Sequence, residues 1–308
     1  MLAYILDFLL ILFAVLGILL ALLFPDVFIH LSPYAIVCVA STQFLNFLAI
    51  RVRDVFRLNA RQAGEVALWS AFKLIILPLL LWPLTSLLAP ELVPGMLMAT
   101  GIATAVMAPM IAGFLRGDVI RVMQVVFITS AIMPLSLPFL MRVCLGTEIH
   151  FDLFKLGLLL GAGVILPSIL AVVLRMLLPG VAYAIQRTTP FVGRALTFFL
   201  AAALVAPYGP AIMQDASHAL LLSFYSFAAV LICSSIGFLL CLLLNLPATT
   251  GVLVLGFANF GLSAATSSYF LGQDATIVAI GFMLPGLLPI PFLRMWAQRR
   301  VYQPFETI

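Results

Sequence analysis

Stretches of roughly 20 apolar residues alternate with short polar or Pro/Gly-rich breaks along the whole chain. Ten stretches can be marked, at about 3–24, 32–50, 66–88, 92–115, 119–145, 153–178, 190–212, 217–244, 248–271 and 275–295. At 1.5 Å rise per residue, each is long enough to cross the hydrocarbon of a bilayer as a helix. The pattern predicts an all-α polytopic membrane protein with ten transmembrane helices. The first stretch, Leu2–Phe24, lacks a basic leading segment and a small-residue cleavage site, so it reads as a retained helix.

Composition supports the pattern. Of the 308 residues, 65% are hydrophobic and 8% charged, against roughly 25% charged in soluble domains. The net charge of +4 is explained by where the basic residues lie and calls for no nucleic-acid partner. With the N-terminus in the cytoplasm, Arg51, Arg53, Arg57, Arg61, Arg116, Arg121, Arg175, Arg187, Arg194, Arg294, Arg299 and Arg300 all fall inside. Only Arg142 and Lys155 fall outside. This positive-inside bias puts both termini in the cytoplasm, which an even number of spans permits; the expected location is the inner (plasma) membrane. Cys38, Cys144, Cys233 and Cys241 lie in or at apolar runs without C-x-x-C spacing and read as small core residues.

The chain also repeats itself. Phe114–Leu115–Arg116–Gly117–Asp118 is echoed by Phe270–Leu271–Gly272–Gln273–Asp274, Pro138–Phe139–Leu140–Met141–Arg142 by Pro291–Phe292–Leu293–Arg294, and Ala89–Pro90 by Leu246–Pro247. The offsets are 156, 153 and 157 residues, about half the chain. Five spans per copy is an odd number, so the two copies insert with opposite orientation. The expected repeats are residues 1–150 and 151–308. The fourth and ninth spans are interrupted at equivalent places, by Gly101 to Pro109 and by Gly256–Phe257–Ala258–Asn259–Phe260–Gly261. Proline lacks an N–H and disfavours helix before it, so backbone groups come free at these points. Free backbone at membrane depth must line a cavity or be buried in protein.

Lys73 sits within Leu68 to Pro78, a run otherwise free of charge. An ammonium there costs several kcal/mol unless it is compensated. One reading is that it snorkels to the interface. The other gives it a function. Gln43, Asn46, Gln124, Ser234 and Ser235 are further polar residues in the spans, suited either to a cavity or to interhelical hydrogen bonds. His30, His150 and His218 fall in or near outer loops without metal-ligand spacing.

These residues carry a resemblance. Ala112–Gly113–Phe114–Leu115–Arg116–Gly117–Asp118, followed by Pro134 and Pro138, resembles helices four and five of the bile acid:sodium symporter (BASS) family. Gly256–x–x–Asn259–x–Gly261–Leu262 is similar to its ninth helix, Phe24–Pro25–Asp26–x–Phe28 to its first outer loop, and Lys73–x–x–x–x–Pro78 to a Q-x-x-x-x-P in its third helix. The resemblance implies two inverted five-helix repeats with broken, crossing helices four and nine. It also implies a panel domain (helices 1, 2, 6 and 7) and a core domain (3–5 and 8–10). In the family, two sodium ions bind behind the crossing, and an organic anion binds in a cavity between the domains. At the family's ligand positions this chain has Ala108–Pro109, Val122, Val126, Val254, Ala258 and Lys73, while Asn259 is kept. Hard cations need several oxygen ligands, so the sodium sites are not carried over and no metal is assigned.

The expected function is therefore a secondary transporter for a small organic anion, working by alternating access without sodium coupling. Lys73 is the expected coupling residue. Its ammonium takes the place of a bound cation between helices three, four and nine, and it either exchanges a proton during transport or attracts the anion directly. Asn259, Thr104, Pro109 and Ser263 are the expected substrate-binding set. No cofactor is expected, and the partners are the bilayer and the substrate, with the protein a monomer. The alternatives are a sodium-dependent symporter using backbone ligands, or a channel or receptor on the same scaffold. Paired Asp, a Ser/His pair or a metal cluster is not found in the spans, which argues against an enzyme.

Overall fold

The structure, a computed structural model, describes residues 2–48, 57–146 and 152–283. Arg51, Arg53, His150, Arg294, Arg299, Arg300 and the Pro291–Arg294 copy of the repeat lie outside the described residues. Among the described residues twelve helical runs follow one another. They are α1 (Leu2–Leu23), α2 (Pro25–Leu48), α3 (Ala60–Leu88), α4 (Val93–Gly101), α5 (Ala108–Phe114) and α6 (Val119–Leu145). Then come α7 (Leu153–Leu177), α8 (Pro179–Gln214), α9 (Ala216–Leu243), α10 (Ala248–Gly256), α11 (Phe260–Phe270) and α12 (Gln273–Gly281). Six of them, α2, α3, α6, α7, α8 and α9, are long and apolar enough to cross a membrane, so the protein is an all-α, multi-pass membrane protein.

Three helices start earlier than the apolar pattern indicates, α2 among them, at Pro25 rather than near 32. α3 begins at Ala60 rather than near 66 because Asn59 and Gln62 form a reciprocal capping box that holds an amphipathic first turn. α8 begins at Pro179 rather than near 190. A proline in the first turn sacrifices no helical bond, and in the polar stretch the Thr188 and Thr189 hydroxyls donate back to the Ile185 carbonyl. Hydropathy misses the extensions of α3 and α8 because their polar side chains are satisfied locally.

Within α3 and α7 one turn is widened to i→i−5 bonding, at Phe72–Ile76 and Gly161–Ile165. Leu77 N–H donates to Phe72 O, and Leu166 N–H to Gly161 O. Each widened turn ends just before a proline, Pro78 or Pro167. A proline ring collides with the carbonyl four residues back, and a wider turn relieves that collision.

The helices pack in two groups. α1, α2, α7 and α8 lie side by side, with α8 between α1 and α2, and α2 between α8 and α7. The remaining helices gather round α4, α10, α11 and α12. In the second group α9 lies against α10 at a glycine seam. A Cβ on Gly237 would collide with the Gly251 carbonyl, and a Cβ on Gly251 with the Gly237 carbonyl. Such small-residue contacts let backbones approach where apolar burial gives helices no advantage over lipid.

Candidate substrate and coupling site

Two helices break inside this second group. α4 ends at Gly101 and α5 begins at Ala108; α10 ends at Gly256 and α11 begins at Phe260. The linking segments are extended and lie antiparallel, with Thr104 opposite Ala258. Ala105 N–H donates to Phe257 O and Asn259 N–H to Ala103 O, both at 2.9 Å. Freed backbone at this depth is thus paired with the other break, the kind of internal satisfaction a membrane interior demands. Thr104 is fully buried and adds a tie, its hydroxyl donating to Val254 O at 3.0 Å. Its N–H lies 3.4 Å from Thr129 Oγ1 on α6. The Thr129 hydroxyl in turn donates to Val125 O at 2.7 Å.

Lys73 sits in the widened turn of α3 and is 1% exposed. Its Nζ donates to Leu255 O, 3.4 Å away in the last turn of α10. The amine is therefore aimed at the break and not outward to the interface. Among the described residues it forms no ion pair with a carboxylate. Leu255 belongs to the C-terminal end of a half-helix, where carbonyls lack intrahelical donors and the helix dipole is negative, so a cation is favoured there. Thr104 and Lys73 engage consecutive carbonyls of α10, Val254 and Leu255.

Asn259 caps α11, its Oδ1 accepting from Leu262 N–H at 3.4 Å. Its Nδ2 donates to Gln43 Oε1 on α2, also at 3.4 Å. Ser263 lies one turn into α11, its N–H on Asn259 O at 3.0 Å and its buried hydroxyl without a hydrogen-bond partner among the described residues. Pro109 enters as the half-buried N-terminal proline of α5. The structure thus gathers Thr104, Asn259, Ser263 and, through Leu255, Lys73 about the breaks; Pro109 opens the half-helix that follows its own break.

Thr129 and the accepting carbonyls of Val254 and Leu255 did not figure in the sequence reading. Thr129 is one Thr in a helix, and a carbonyl carries no side-chain signal. A second polar cluster was also missed. Arg121 is 8% exposed, paired with Glu65 (3.2 Å), and its Nη1 donates to Gln62 O (3.1 Å) and Gln124 Oε1 (3.2 Å). It ties α6 to the first turns of α3, a link that its place at the start of the fifth apolar stretch did not indicate.

A separate groove of about 520 Å³ runs between α2, α7 and α8, lined by residues such as Val37, Phe44, Leu159, Leu170 and Val192 with Ser41 the polar member. It is too apolar to recognise a charged group.

No model of a known protein family matches the sequence, and no curated protein matches it either.

Proposed function

We propose that the protein is a secondary transporter that moves a small organic anion across the cell's inner membrane by alternating access, on a ten-span architecture of the BASS type. The observation that carries this reading is the buried Lys73 amine on the end of an interrupted helix, Nζ to Leu255 O. In transporters of this design, half-helix ends at the midplane hold the coupling ion. Here a tethered ammonium occupies such an end and satisfies the same carbonyl dipole without a free ion. The transporter is then independent of sodium, and coupling, where present, runs through the proton of Lys73.

Several features support the inverted repeat of residues 1–150 and 151–308. α4 and α10 are both nine residues long, and α3 and α9 begin 156 residues apart. Arg116 and Gly272, also 156 apart, both take positive φ, at 54° and 83°. The two hydrogen bonds of the crossing exchange with one another under a shift of 154 residues, as a local two-fold axis requires. The packing groups match a panel of α1, α2, α7 and α8 and a core of the rest. On this reading Asn259, Thr104, Pro109 and Ser263 surround the substrate near the crossing, and both termini are cytoplasmic.

The test is a thermal-shift screen of the purified protein against organic anions, with and without sodium, followed by uptake into sealed proteoliposomes. A ligand of the folded state raises its apparent stability. The expected result is stabilisation by an anion irrespective of sodium, and concentrative uptake. A steep sodium requirement removes the tethered-cation reading; equilibration without accumulation makes the protein a channel.

A further inference from the structure

Gln43 is the polar side chain that α2 directs at the crossing. It is 2% exposed, and its Oε1 accepts from Asn259 Nδ2. The network fixes which way both amides point. Asn259 must keep its oxygen on the Leu262 N–H to cap α11, so its nitrogen faces Gln43. Gln43 must therefore present its oxygen to Asn259. That leaves its Nε2, a buried donor with no hydrogen-bond partner among the described residues. A desolvated donor without an acceptor is unfavourable and calls for an occupant. It lies beside the N-terminus of the 11-residue α11, where the helix dipole favours an anion.

We infer that Gln43 is a binding residue for the carboxylate of the transported anion, its free Nε2–H₂ donating to a carboxylate oxygen beside Asn259. This rests on the proposed transport function and adds to it the α2 contribution. Gln43 is then the point at which the panel group senses the substrate. A bound carboxylate satisfies the orphan donor and links the two groups of helices through the substrate.

Two substitutions separate this role from mere support of Asn259. Gln43→Glu, titrated at a pH high enough to keep the new carboxylate ionised, keeps an oxygen for Asn259 Nδ2 and loses the donor; Gln43→Met loses both. The probes are lactate, succinate and benzoate, titrated by thermal shift against the purified full chain, each beside its amide (lactamide, succinamide, benzamide). For an acid that stabilises the wild type, Gln43→Glu is expected to raise Kd by about ten- to a hundredfold, the weight of a hydrogen bond to a charged group. An unchanged Kd overturns the inference. Should the Glu variant fail to fold, Gln43→Met decides: lost donation lowers affinity for the acid more than for its amide, whereas a purely structural role lowers both alike and overturns the inference. A wild type that binds none of the acids defeats the transport reading itself, before any variant is compared.

Discussion

Lys73 separates what a residue costs from what it does. A fully buried ammonium facing one carbonyl at 3.4 Å has lost its water for a single long hydrogen bond. Replacing a buried charge by an apolar residue of similar volume is often neutral or stabilising. Lys73→Met is therefore expected to leave the melting temperature unchanged or higher while abolishing transport; lower stability with transport retained would assign the amine a structural role. Lys73→Gln is expected to abolish accumulation driven by a pH gradient and to leave substrate exchange intact, read as counterflow in proteoliposomes. Thr104 is the opposite case. Its hydroxyl holds Val254 O at 3.0 Å with no access to water. Thr104→Val keeps the shape and orphans that carbonyl, so a loss of about 1–3 kcal/mol in unfolding free energy is expected, measured by denaturant titration in detergent.

Among the elements, the long helices were legible because lipid imposes one rule on them: a run of apolar residues of sufficient length. The breaks were legible too, since Gly101, Pro109, Gly256 and Gly261 punctuate otherwise apolar spans. What could not be read was how the breaks are satisfied. The partners of Ala105 and Asn259 are backbone carbonyls more than 150 residues away, and backbone is the same at every position. The widened turn under Lys73 was hidden for a similar reason: Pro78 marks the strain, but relief by a wider turn or by a kink is decided in three dimensions. The partners of Arg121 were hidden because hydropathy carries no trace of a pairing with Glu65. Glycines show the same contrast between sequence and packing. A Cβ at Gly237 collides with the backbone of α10, whereas Gly64, on the exposed face of α3, has nothing within 4 Å. Gly237→Ala is expected to cost about 1–3 kcal/mol through overpacking, and Gly64→Ala to gain up to about 1 kcal/mol of helix propensity. Equal effects in thermal melts would mean that the α9/α10 seam is looser than drawn.

At the scale of the whole molecule, alternating access requires the two packing groups to separate at one end while they stay joined at the other. Two polar ties between the groups sit near the C-terminal end of α11: Tyr208 Oη donates to Ser268 Oγ at 3.2 Å, and Tyr269 Oη to Pro33 O at 3.4 Å. In the proposed orientation that end is the outer one, so on the transport reading these ties would hold the outer end together. The state that loads substrate from outside must break both ties. Joining Tyr208→Cys to Ser268→Cys with a short reducible linker, the native Cys38, Cys144, Cys233 and Cys241 replaced, should hold the outer end shut. Uptake into proteoliposomes is expected to fall to background on crosslinking and to recover on reduction, while binding from the inner side persists. Undiminished uptake with the linker in place would show that α8 and α11 travel together, and would move the boundary between the mobile parts elsewhere.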